Sequence, residues 1–218
     1  MTGSALEPTP IALYLPDDWW IVDVASEPAR ERSIAALVAR QVGRADDRAA
    51  LRAEIRTALG KQARDAARAG AFLLAISLMQ VGEARLPAAL AAYRLPRSGG
   101  GELHSLERAF APLPSDGLEL VVADRGSVLR RTWVDRATAR EPAPDTRVFR
   151  ADYWLDLPGA AEIVLLTFST PLVEAADAFL ELFDTIVDTV DASTGASARE
   201  VDTLVEHLRR AGGSVPRR

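Results

Sequence analysis

The sequence contains no cysteine. Disulfides, thiolate metal sites and thiol nucleophiles are therefore excluded. Histidine is nearly absent, with only His104 and His207, and neither lies in a nucleophile or metal-ligand motif. Lysine is scarcer still. Of the 26 basic residues one, Lys61, is lysine, which leaves 25 arginines. No apolar run approaches the roughly 18 residues that a membrane-spanning helix needs. The opening MTGSALEPTP has neither a basic region nor an apolar one, so no signal peptide is expected and a cytoplasmic location is. The phosphate-binding and hydrolase motifs G-x-G-x-x-G, G-x-S-x-G and H-E-x-x-H are missing. Gly99-Gly100-Gly101 is followed by no Lys-Ser/Thr pair and reads as a flexible loop.

What is present suits one globular unit. The chain has 218 residues, 48% hydrophobic and 26% charged, enough for a core of ordinary size. A net charge of −5 disfavours a general nucleic-acid binder. The pattern predicts residues 1–191 as a single α+β domain with a helical insertion at about 28–70. Residues 192–218 read as a small-residue linker and a short terminal helix.

The most informative stretch is 147–191. Phe149, Ala151, Tyr153, Leu155 and Leu157 alternate with Arg150, Asp152, Trp154 and Asp156, as in a strand with one buried face. Pro158-Gly159 makes a turn. Glu162 to Phe168 is an apolar run rich in β-formers, a strand covered on both faces. Thr170-Pro171 reads as the start of a helix that buries Leu172, Ala176, Phe179, Phe183, Ile186 and Val190. Beside that stripe runs a second one of six carboxylates: Glu174, Asp177, Glu181, Asp184, Asp188 and Asp191. Unrelieved by a base and set partly against the helix dipole, it opposes helix stability. Glu181, Asp184 and Asp188 are therefore expected to face an arginine-bearing surface, the alternative being a plain acidic face in solvent.

Strand, Pro-Gly turn, buried strand, Phe168-Ser-Thr-Pro171 and a helix carrying Leu182-Phe-Asp-x-Ile186 resemble the C-terminal end of PsbP/Mog1-like proteins, especially actinobacterial ones. Leu15-Pro16-Asp17-Asp18-Trp19 is similar to the opening of that family. The two segments cover about a quarter of the chain, and Pro28 to Gly70 departs from the pattern. The resemblance implies an antiparallel sheet of six to eight strands with helices packed on its faces. It also implies a binding or assembly role without shared catalytic residues or cofactor. The arginine-rich, alanine-rich composition agrees with a G+C-rich genome.

Earlier in the chain, Ile11–Leu15 and Trp19–Val24 read as a strand pair around an Asp17-Asp18 turn. Trp19 and Trp20 place one ring on each side of their strand. Helices are expected from Glu27 to about Val42, with Ile34, Leu37, Val38 and Val42 inward, and from Asp46 or Asp47 to about Ala69. The second carries Arg44, Arg48, Arg52 and Arg56 every four residues. This ladder drifts about 40° per step around the helix, so it covers the surface rather than forming one tight row. It is one surface that the carboxylate stripe could meet, in the same chain or a second copy; a basic partner is the other.

Phe72–Gln80 and Leu86–Leu95 read as strands, with Pro87 pushing the second to a sheet edge; a helix through Pro87–Ala92 is the alternative. Glu102–Phe110 is a short helix, and Leu118–Ala123 with Ser127–Val134 a hairpin around Asp124-Arg125-Gly126. Thr138–Asp145 reads as an exposed loop. In the tail, Val201, Leu204, Val205 and Leu208 share one helix face on a flexible tether, which suits docking in the same or a neighbouring subunit.

The function expected from these features is non-enzymatic binding or assembly through protein–protein contacts, with a protein partner or a second copy. The alternative is a small-molecule-binding protein or enzyme with a pocket between sheet and helices. The residues expected to carry interaction are Glu181, Asp184, Asp188, Arg48, Arg52, Arg56, Val201, Leu204 and Leu208; no cofactor is expected.

Overall fold

The structure is a computed structural model that describes residues 10–43, 46–81, 84–97, 102–123, 126–136 and 147–192. In chain order these form β1 (Ile11–Ala12), β2 (Trp19–Val22), α1 (Glu27–Val42), α2 (Ala49–Arg68), β3 (Ala71–Ser77), β4 (Gln80–Val81) and β5 (Ala84–Arg85). Then come β6 (Ala89–Pro96), α3 (Glu102–Phe110), β7 (Gly117–Ala123), β8 (Gly126–Arg136), β9 (Arg147–Asp156), β10 (Glu162–Thr170), α4 (Ala176–Val187) and β11 (Asp191–Ala192). Seven strands make one antiparallel sheet in the order β2-β3-β6-β10-β9-β8-β7. Helices pack on both faces, so the architecture is α+β, as expected.

Strand alternation sorts the core into two layers. On one face α4 lays Phe179, Phe183, Ile186 and Val187 over Leu90, Tyr153, Leu155, Leu166 and Phe168. The Phe168 and Phe183 rings stack at 4.4 Å, and Trp19 meets Phe168 edge-on at 6.5 Å. The opposite face is shared. Ile34, Val38 and Val42 of α1 and Ala63 of α2 cover Val22 and Leu74 at the β2 end. Leu103 of α3 covers Leu129, Trp154 and Ile163 further along, where Phe110 lies 4.8 Å from the Trp154 ring. The buried and polar alternation in β9 and the two-sided burial of β10 follow the expected pattern. The four inward residues of α1 are those that its periodicity marks.

Local chemistry fixes the boundaries. The Ser26 hydroxyl accepts from the Ala29 N–H at the start of α1, and Gly43 ends the helix at φ 77°. At the β7–β8 turn Gly126 has φ 125°, and a Cβ there would lie 2.5 Å from the Asp156 carbonyl oxygen. Only glycine fits this close approach to the neighbouring strand.

Several expectations are corrected. Residues 11–15 and 19–24 do not pair with each other. β1 pairs with β11 at the far end of the chain, and β2 pairs with β3. The Trp19 N–H closes a turn on the Pro16 carbonyl, and Trp19 and Trp20 then split between the two cores, which draws β2 onto β3. The strand expected over 86–95 forms from Ala89 onward, and it is interior rather than at an edge. Pro87 precedes β6, so no ladder N–H is lost, and its carbonyl accepts from Thr170 Oγ1 at 2.7 Å. Thr170 is not a helix cap. It is the buried last residue of β10, its Oγ1 accepts from the Leu172 N–H, and a 3-10 turn at Val173–Ala175 precedes α4. The loop 138–145 and the tail from 193 lie outside the described residues. Among the described residues no helix is long and apolar enough to cross a membrane.

Candidate interaction surfaces

The carboxylate stripe of α4 does not behave as one surface. Glu174 lies in the 3-10 turn and Asp177 in the first turn of α4, where the helix dipole favours anions, while Asp191 belongs to β11. Glu181 and Asp188 are exposed. Asp184 instead turns to the sheet. One carboxylate oxygen accepts from Tyr153 Oη at 2.7 Å, and the other accepts from Arg130 Nη1 at 2.5 Å. Arg130 Nη2 also donates to Glu119 at 2.5 Å. A row Glu119–Arg130–Asp184–Tyr153 thus ties β7, β8 and β9 to α4. Burial raises the Tyr153 phenol, and the hydrogen bond and charge of Asp184 raise it further, so it stays a neutral donor.

The arginine that Asp184 meets is Arg130 of β8, not one of the ladder. The ladder cannot reach the stripe within one chain, because α2 packs on the opposite face of the sheet from α4. Arg48 and Arg52 do local work: their Nη1 atoms donate to the carbonyls of Val42 and Gly43, each at 3.3 Å, and so close the C-terminal end of α1. Arg56 is exposed. Val201, Leu204 and Leu208 lie outside the described residues.

Sequence reasoning missed two other features. The first is a polar strip on the sheet face shared by α1, α2 and α3. Thr167, Asp152 and Arg131 stand directly opposite one another on β10, β9 and β8. Arg131 does not turn to Asp152. Its guanidinium sits over the Trp133 and Phe110 rings at 4.6 and 5.2 Å and donates to the Pro114 carbonyl. Asp152 Oδ1 is buried and, among the described residues, meets no hydrogen-bond partner. Burial pushes the Asp152 carboxyl up to about 6, against the opposing pull of the Thr167 hydroxyl and the Arg150 and Arg131 charges. Tyr93, on the same face, is raised by its own burial and then by the Asp152 charge. The alternation of 149–157 marked Asp152 as outward-facing; with Tyr93, Arg131 and Thr167 beside it, it is half-buried.

The second feature is the pair of sheet edges, which differ. β2 is a four-residue edge flanked by Asp17, Asp18 and Asp23, and Ser33 of α1 donates to the Ile21 carbonyl at 3.1 Å. That edge is closed by a side chain. β7 is a seven-residue edge, GLELVVA, paired among the described residues with β8 alone. It holds no proline, no lysine and no bulge. Its one ionic side chain, Glu119, is engaged by Arg130. Val121 is 49% exposed on one face and Val122 69% on the other, and Leu113 is exposed in the turn that leads in. A hairpin reading of the sequence finds the strand; its place at the end of the sheet is a matter of topology.

A cleft of 460 Å³ lies between the start of α1 and the end of α2, lined by Ser26, Glu27, Arg30, Arg64 and Arg68 among others. Arg30 is turned to the Val24 carbonyl and Arg68 to Asp65, and no acid–base pair converges there. No group of three metal-ligating side chains occurs among the described residues. A comparison of the chain with protein-family models and with curated proteins returns no match.

Proposed function

We propose that this chain is a non-enzymatic binding or assembly module that acts through protein–protein contacts, with the β7 edge as its principal surface. The observation that carries the reading is the unprotected edge itself. Natural sheets blunt their edges with short strands, lysine, proline, bulges or covering side chains, because an open row of N–H and C=O groups templates another strand. β2 is blunted in this way and, among the described residues, β7 is not. Strand addition supplies main-chain hydrogen bonds, and Val121 and Val122 supply apolar contacts on both faces. The PsbP/Mog1-like resemblance, with a binding role, is consistent with this proposal. The test is affinity purification of the full chain and of Val122→Lys, a change at an exposed position. A partner retained equally by both proteins would overturn the edge as the binding surface; loss with Val122→Lys supports it.

One observation favours a second reading, a small-molecule site. Asp152, with its carboxyl lifted and one oxygen unpartnered among the described residues, lies near Tyr93, Thr167 and two arginines. Native mass spectrometry of purified protein distinguishes this reading. A bound small molecule that disappears in Asp152→Asn supports it; wild-type protein free of any adduct rejects it.

A further inference from the structure

We infer that the strand which completes β7 is β7 of a second copy of this chain, in antiparallel register about Leu120. The inference rests on the reading of β7 as the binding edge and adds the identity of the partner. Three observations lead to it. First, the edge needs a strand of matching length, and pairing about Leu120 uses all seven residues, Gly117 opposite Ala123, Leu118 opposite Val122 and Glu119 opposite Val121. Second, within Gly117–Ala123 that register is free of like-charge contacts. The only ionic side chain of the strand meets Val121 of the other copy, not its own counterpart, and within each copy it is neutralised by Arg130. Third, exposed apolar groups lie on both faces of the edge, Val121 on one and Val122 on the other, and the two-fold pairing sets them against Glu119 and Leu118 of the other copy. A two-fold axis perpendicular to the sheet keeps the faces: both α3 helices flank the axis on one side and both Glu119–Arg130–Asp184 rows lie on the other.

The register makes a charge-sign test possible. Val121 is exposed, so neither Val121→Glu nor Val121→Lys threatens the fold. In the dimer each new side chain opposes Glu119 of the other copy, twice per interface. Glutamate there places like charges opposite each other, and lysine places opposite ones, so dissociation constants should differ by roughly tenfold. The measurement is light scattering and sedimentation equilibrium on the full chain between about 1 and 100 µM. Wild type is expected to reach twice the 23.5 kDa chain mass. Val121→Lys is expected to retain that dimer and Val121→Glu to weaken it, with the gap narrowing at high salt. Equal weakening by both substitutions overturns the register and with it the inference. A wild type that stays monomeric overturns it too, and then the two proposals separate. A different protein captured by wild type and lost in Val122→Lys leaves β7 a binding edge, whereas a monomer that captures nothing through β7 sinks both.

Discussion

At the scale of the residue, the acidic side chains of α4 that look alike in sequence hold different positions. Asp184 is the acceptor for both the buried Tyr153 hydroxyl and Arg130, whereas Asp188 caps the exposed C-terminal end of the helix. Asp184→Lys should therefore cost about 2–3 kcal/mol, because it strands a buried hydroxyl and sets a cation beside Arg130. Asp188→Lys should instead gain a few tenths of a kcal/mol from the helix dipole. Urea denaturation of the two single variants checks the contrast, and equal effects would contradict it. Asp152 gives a pH signature. Its folded pKa, about 6, lies above the unfolded value of roughly 3.9. The folded state thus holds the proton more tightly. Its stabilising contribution is complete below about pH 4, falls as pH rises toward 6 and is lost above it, a change on the order of 2 kcal/mol. Asp152→Asn should abolish this component, so the stability difference between variant and wild type should grow from pH 4 to pH 7. Parallel pH profiles would show that Asp152 does not titrate in this way.

At the scale of the element, turns and caps decide where each strand and helix can lie. Gly126 and Gly159 both have positive φ, but their surroundings differ. A methyl group at Gly126 would run into the Asp156 backbone, while one at Gly159 meets nothing within 4 Å. Gly126→Ala should cost several kcal/mol, and Gly159→Ala about 1–2 kcal/mol, the left-handed penalty alone. Thermal unfolding of both variants checks this ordering. A smaller loss at Gly126 would mean that the β8–β9 pairing can shift to admit a side chain. Helix ends show the same economy of means. Arg48 and Arg52, two rungs of a ladder that looks solvated in sequence, close the carbonyls at the end of the preceding helix.

At the scale of the whole molecule, the sequence by itself determined the fold class, most element boundaries and the inward residues. These follow from period and punctuation: alternation in β9, the 3.6-residue spacing of Ile34, Leu37, Val38 and Val42 in α1, Gly43 and Gly70 as stops. Such signals are local, and burial of an apolar face rewards them wherever the element sits. What lies beside what is not local. That β1 closes on β11, that β6 is interior despite Pro87, that α2 and α4 take opposite faces, and that β7 ends the sheet were decided only by the tertiary structure. The candidate surfaces belong to this second group. Asp184 meets Arg130 and Tyr153 across 54 and 31 residues of chain, and Asp152, outward by alternation, is half-buried beside Tyr93, Arg131 and Thr167 of three other strands. An open edge is a property of strand order, and strand order is settled by long-range packing of the whole core, a sum over contacts that no single window of sequence contains.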